Sequence, residues 1–181
     1  CTDSLRSSGK VRYIGFTGWD GDYEAQKKLI YSDRFTSVQV LYNILNQSAD
    51  GMARNTPHEN DQGYGSGEDC VINLAEQNKV ALIGIRPFAD GAIVDKVKSD
   101  KKRSKQIDND HHQVQKMKLQ IGRDDLSLAQ IAILFCLENK KISTIVPGIK
   151  NSFELNEIIR AYDSGGLKKK DLEIISSWYL N

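Results

Sequence analysis

The chain has 181 residues, enough for one domain of ordinary size, and its 25 Lys and Arg against 24 Asp and Glu leave a net charge of +1. Such an even balance excludes a nucleic-acid or membrane-surface role driven by bulk charge. No apolar stretch is long enough to span a bilayer, no signal peptide opens the chain, and Cys1, Cys70 and Cys136 show neither a CxxC pair nor metal-ligand spacing, so reduced thiols in a cytoplasmic compartment are expected.

In chain order, the first strand is expected over Tyr13-Ile14-Gly15-Phe16-Thr17-Gly18. A helix follows from about Asp22 to Tyr31, with Ala25, Leu29 and Ile30 on one face. The second strand is Ser37 to Leu45, and a long polar loop with Gly51, Pro57, Gly63, Gly65 and Gly67 comes after it. A helix from about Glu68 to Gln77 buries Val71, Ile72, Leu74 and Ala75. The third strand is Val80 to Phe88. Asp95 to Asp110 is charged and lysine-rich and is expected to be a mobile loop; its run Lys101-Lys102-Arg103-Ser104-Lys105 reads as a solvated surface. Some helix is expected from Gln113 to Gly122. The best-marked helix runs from Leu128 to Asn139, because Ser127 and Gln130 have the spacing of a capping box. A fourth strand, Ser143 to Val146, leads through Pro147-Gly148 to a helix capped by Asn151 or Ser152 and stopped at Gly165-Gly166. A last amphipathic helix spans Lys169 to Trp178.

Strands apolar on both faces, joined by helical crossovers, predict a parallel sheet in an α/β fold. An open doubly wound sheet and part of a (β/α)8 barrel both fit. The stretch from Gly15 to Gly21 lacks the glycine spacing of a Rossmann dinucleotide site, which lowers the first option. In either case ligands sit beyond the carboxyl ends of the strands. Those ends offer Thr17, Gly18 and Trp19; Gln39 and Asn43; Arg86, Pro87 and Phe88; and the run Pro147 to Asn151. The last is a strand leading into a helix N-terminus beside Lys150, which suits a nucleotide phosphate and equally an ordinary turn. Glu154 either closes a capping box on Asn151 or accepts a hydrogen bond from a ribose hydroxyl. Arg86 calls for an ion pair or an open cavity. His58, His111 and His112 are placed in polar loops with no acid or base partner at fixed spacing. No nucleophile motif, P-loop or metal-ligand cluster occurs.

Four segments, SGKVRYIGFTG (Ser8 to Gly18), VQVLYNILN (Val38 to Asn46), GIRPFADGAI (Gly84 to Ile93) and ISTIVPGIKNSFEL (Ile142 to Leu155), resemble in order the surroundings of barrel strands five to eight of aldo-keto reductases. The resemblance covers nearly the whole of residues 1–181 and implies the second half of a (β/α)8 TIM barrel that uses a nicotinamide cofactor without a Rossmann domain. It implies that Thr17 and Gln39 hold the nicotinamide carboxamide. The stretch from Arg86 through Phe88 to Gly91 would lie along the pyrophosphate. Gly148, Lys150, Asn151, Glu154 and Glu157 would surround the adenosine end. The family places a small carbonyl or alcohol substrate against the ring.

Departures from the family pattern matter too. Gly18 stands where the family usually has Asn, Ile85 where many members stack an aromatic on the nicotinamide, and Ile158 where Asn is common. Glu154 stands where NADPH users often carry an arginine, so NAD(H) is expected over NADP(H). The family's catalytic Asp, Tyr, Lys and His come from the first four strands, and the chain begins in what resembles the helix before strand five. No catalytic residue is therefore assigned, and a partial, inactive oxidoreductase is expected. The alternative is a non-catalytic subunit that binds nucleotide or works by association. Because the chain opens with Cys1 and not Met, it is not expected to be the complete translated product. Four strands would leave two open edges, to be met by a complementary half-barrel or by self-association.

Overall fold

The computed structural model describes residues 2–19, 22–53, 63–95 and 105–180. Its elements are α1 (Thr2–Ser7), β1 (Gly15–Thr17), α2 (Tyr23–Tyr31), β2 (Ser37–Leu41), β3 (Gly65–Ser66), β4 (Asp69–Cys70), α3 (Val71–Gln77), β5 (Ala81–Ile85), α4 (Lys105–Ile121), α5 (Leu128–Glu138), β6 (Ile142–Val146), α6 (Ser152–Asp163) and α7 (Lys169–Leu180). The four longer-range strands form one parallel sheet in the order β1-β2-β5-β6. Each link between neighbours carries at least one helix, as parallel pairing requires.

The two faces of the sheet differ. Val38, Val40 and Leu82 are completely or almost completely buried against the helices. On the other face Thr17 and Thr144 are exposed, and Gln39, Ile83 and Ile85 are half-buried. Among the described residues, β1 and β6 are the edge strands, each paired along one side. The core lies between the sheet and its helices, with α5 as its most enclosed element: every residue from Leu128 to Cys136 except Gln130 is buried. Phe135 stacks on Tyr42 with ring centroids 5.4 Å apart, and the Cys136 thiol donates to the Tyr42 carbonyl.

The strands stop for identifiable reasons. After Thr17 the chain leaves β2, and the Leu41 N–H donates to the Tyr64 hydroxyl (3.0 Å) instead of to a strand. The expected second strand ends four residues early, at Leu41, because Asn43 and Asn46 pair with each other across a tight turn that the Asn43 side chain closes on the Leu45 N–H. The third strand ends at Ile85 because Arg86 turns left-handed (φ 56°) and Pro87 has no N–H to donate. A bulge between β5 and β6 sets Ser143 aside, and its hydroxyl accepts from the Leu82 N–H.

Three expectations are corrected. The charged stretch before residue 113 is not all loop, since α4 begins at Lys105; residues 96–104, which hold most of the basic run, lie outside the described residues. His111 and His112 therefore sit in a helix, and the His111 Nδ1 faces the Ala92 carbonyl at 2.9 Å; His58 lies outside the described residues. The Gly-rich loop also ends in a small hairpin, β3–β4, which turns at Gly67 (φ 55°). The expected capping box of α5 is present: the Gln130 N–H donates to Ser127 Oγ, and the Ser127 N–H donates to Gln130 Oε1.

Candidate functional site

The carboxyl ends of the four parallel strands lie along one rim. Thr17, the last residue of β1, is the register partner of Gln39, which in turn pairs with Ile83. Register partners on adjacent parallel strands project to the same side, so the Thr17 hydroxyl and the Gln39 amide share the open face. Gly18 follows, and its N–H donates to the Gln39 carbonyl at 2.8 Å. That close approach explains the glycine. A Cβ here would come within 3.0 Å of the Gln39 carbonyl and 2.7 Å of the Gln26 Oε1, a buried oxygen with no hydrogen-bond partner among the described residues.

Two rows higher, Leu41, Ile85 and Val146 align, and the loop after β5 begins. Arg86 reaches across the rim in two directions. Its guanidinium lies 3.7 Å from the centroid of the Trp19 ring, and its Nη1 is 2.7 Å from the Asp90 carboxylate. Its carbonyl accepts from the Asn43 side chain at 2.8 Å, which ties the ends of β2 and β5 together. Arg86, Ala89 and Asp90 all have positive φ. Three left-handed residues other than glycine within five positions hold the backbone in a costly conformation. Phe88 is half-buried at the head of a 3-10 turn, Ala89–Gly91, and its carbonyl accepts from the Gly91 and Ile93 N–H groups. A shallow cleft lies beside this loop, lined in part by Asn43, Arg86, Asp90 and Ile107.

At the end of β6, Gly148 is exposed with open space where a Cβ would stand. Asn151 caps α6, its side chain accepting from the Glu154 N–H at 3.0 Å. The Glu154 carboxylate closes the turn, accepting from the Lys150 N–H at 2.7 Å and from the Asn151 amide at 3.1 Å. Glu154 thus does the capping work, with both oxygens hydrogen-bonded. Lys150 is exposed, and Glu157 is half-buried with its carbonyl accepting from Gln130.

The candidate residues are therefore spread over the same sheet and the segments that follow its strands: Thr17 ends β1, Gln39 lies in the middle of β2, Arg86 and Phe88 follow β5, Gly148, Lys150 and Asn151 follow β6, and Glu154 and Glu157 lie in α6. Trp19 and Asp90 join them as the partners of Arg86, a grouping that depends on packing across the rim. The only signal for it in the sequence is a tryptophan directly after a strand end. A nicotinamide dinucleotide would bring a carboxamide and a pyrophosphate to this rim. The carboxamide needs one donor and one acceptor, and the Thr17 hydroxyl and Gln39 amide offer both on one face. The pyrophosphate needs a cation and free N–H groups; Arg86 is at the rim but already paired with Asp90. The donor set fits at the nicotinamide end, and Arg86 can serve the phosphates only by loosening its hold on Asp90. Among the described residues no His, Cys, Asp and Glu group could hold a metal, and no helix is long and apolar enough to cross a membrane.

No curated protein sequence matches the chain. Among solved structures it is similar to the aldo-keto reductase AKR11C1 from Bacillus halodurans, with TM-score 0.70 and 14% identity to both the apo and holo forms. The match covers 98% of this chain and 54% of the apo chain. It is also similar to the thermostable aldo-keto reductase Tm1743, solved with the inhibitor epalrestat, at TM-score 0.64 and 16% identity over 97% of this chain and 52% of that one. The chain spans about half the length of the structures it matches, and its parallel sheet with crossover helices corresponds to about half of such a barrel. The family profile described as the Aldo/keto reductase family matches residues 1–179, and on that near-complete match the chain belongs to the aldo/keto reductase family.

Proposed function

We propose that the chain is the half of an aldo-keto reductase barrel that carries strands five to eight. It supplies the cofactor side of a site for hydride transfer between a nicotinamide dinucleotide and a small carbonyl or alcohol substrate. The observation that carries this is the register pairing of Thr17 with Gln39 on the open face of the sheet, with Arg86, stacked on Trp19 and paired with Asp90, just beyond β5. When bound, the dinucleotide supplies or accepts the hydride. Thr17 and Gln39 orient the nicotinamide carboxamide, and Arg86 and Phe88 line the pyrophosphate. Gly148, Lys150, Asn151, Glu154 and Glu157 surround the adenosine. Glu154 disfavours a 2′-phosphate by charge, which supports NAD(H) over NADP(H). The proton on the substrate oxygen has to come from a general acid on the complementary half, so the chain alone binds cofactor and does not turn over. The buried free thiols of Cys70 and Cys136 agree with a reducing, cytoplasmic setting.

The test is a titration of the purified chain with NADH and with NADPH, followed by nicotinamide fluorescence, on the wild type and on Gln39→Leu. Saturable binding that is tighter for NADH, and about tenfold weaker in the variant, supports the proposal. A folded sample that binds neither nucleotide refutes it. In that case the exposed Phe153, Ile159 and Tyr162 of α6 favour the second reading, a subunit that works by association.

A further inference from the structure

The Arg86 side chain is held from two sides, and one of its holders is an acid. The Trp19 ring lies 3.7 Å from the guanidinium, and the Asp90 carboxylate lies 2.7 Å from Nη1. Both members of the ion pair reach solvent, with side chains 41% and 52% exposed. The backbone is fixed separately, because the Arg86 carbonyl accepts from the Asn43 amide and from the Ala89 N–H. The side chain can therefore change partner while the turn stays as it is. Asp90 stands four residues on, in a turn where Arg86, Ala89 and Asp90 are all left-handed. The neighbouring cleft is short of positive charge. Among the described residues lining it, Arg86 is the one cation, against Asp90 and Asp110. Asp110 is buried and accepts from Gln106, which leaves Asp90 as the carboxylate at the surface of the cleft.

We propose that Asp90 is a built-in competitor for the cofactor's pyrophosphate and so sets how tightly this site holds a dinucleotide. The inference rests on the cofactor reading above and adds a residue that opposes binding. A carboxylate and a phosphate oxygen ask the same of a guanidinium, a charge-assisted hydrogen bond from its N–H groups. While Asp90 holds Nη1, an incoming phosphate has to displace it. The apparent affinity then falls with the fraction of the chain in which the pair is closed. Once displaced, Asp90 remains beside the anionic pyrophosphate and repels it. The indole keeps the guanidinium at the rim in either state.

Asp90→Asn keeps the size of the side chain and suits a left-handed residue, so the fold is retained. The purified chain is titrated with NADH, followed by nicotinamide fluorescence, and with inorganic pyrophosphate, followed by calorimetry. Binding of both is expected to be about fivefold tighter in the variant at low salt. The gain shrinks as salt is added, because it is a charge effect. In an Arg86→Gln background the gain from Asp90→Asn is reduced, because the competition is for Arg86. Equal affinities of wild type and variant, weaker binding by the variant, or a gain undiminished in high salt overturns the inference while the cofactor reading stands. Pyrophosphate held more tightly by the variant, with NADH bound by neither protein, upholds Asp90 as a competitor for diphosphate and refutes the cofactor reading. No binding of either ligand by folded protein refutes both.

Discussion

Replacing Tyr64 by Phe removes one oxygen atom from the interior and leaves every carbon in place. Tyr64 is fully buried, and its hydroxyl accepts the Leu41 N–H at 3.0 Å, the bond that stands in for strand pairing where β1 has ended. Leu41 is 4% exposed, so without that oxygen its N–H faces neither water nor a strand. Leaving a buried donor unpaired costs about 1–3 kcal/mol, while the retained ring avoids a cavity term. For a chain of this size each kcal/mol moves Tm by about 2–4 °C, so the expected drop is roughly 2–12 °C. Urea unfolding followed by circular dichroism, at one fixed protein concentration so that association does not contribute, should show a lower midpoint at unchanged slope. Hydrogen exchange adds a local readout, since the Leu41 amide should lose protection more than its neighbours in β2. A loss below about 0.5 kcal/mol, with the Leu41 amide still protected, would refute the reasoning, because the N–H would then have another acceptor.

Burial pushes the Asp50 carboxyl above its usual range, with Lys141 and the Asn139 amide pulling the other way. The folded state then holds its proton more tightly than the unfolded state, so the stability this group contributes is full at low pH and is lost as pH rises through the raised value. Asp50→Asn keeps an acceptor for Asn139; it is expected to exceed the wild type in stability at neutral pH, with the gap closing on acidification. Thermal melts across pH check this, and a gap that widens on acidification contradicts it. Burial also pushes the Cys136 thiol up to about 12 and raises that of Cys70. Both should react with a thiol reagent orders of magnitude more slowly in the folded chain than in the chain unfolded by denaturant; equal rates in the two states would show that either is accessible.

Local signals carried much of the fold. The Ser127–Gln130 spacing located α5, and the glycine pair Gly165-Gly166, both with positive φ, lies just past the end of α6. The first turns of α4 were not legible because its buried stripe of Val114, Met117 and Ile121 passes through Asp110, an acidic residue where an apolar one was expected. Strand ends were over-extended wherever a side chain or a left-handed residue stopped the ladder, as Tyr64, Asn43 and Arg86 do here. These are tertiary events that an apolar run such as Val38 to Leu45 does not reveal. At the site, the positions of Thr17 at the end of β1, Gln39 within β2 and Arg86 just after β5 followed from the α/β pattern. The register that makes Thr17 and Gln39 neighbours did not, nor did the stacking of Arg86 on Trp19, since both join residues far apart in the chain.

The crowding around Gly18 bears on the order in which this rim could have changed. The family usually has Asn there, yet a side chain at this position meets the Gln26 amide at 2.7 Å and the Gln39 carbonyl at 3.0 Å. The first obstacle is the tip of a flexible side chain and the second is backbone. An Asn at 18 is thus accepted only once residue 26 has become smaller or has turned away and the Gln39 backbone has given slightly, and a side chain as long as Gln at 26 sits comfortably against glycine. The two positions are tied to a sequence of steps, each setting what the other can become, and a swap of residue 18 alone between this chain and a relative carries the clash along with the new side chain.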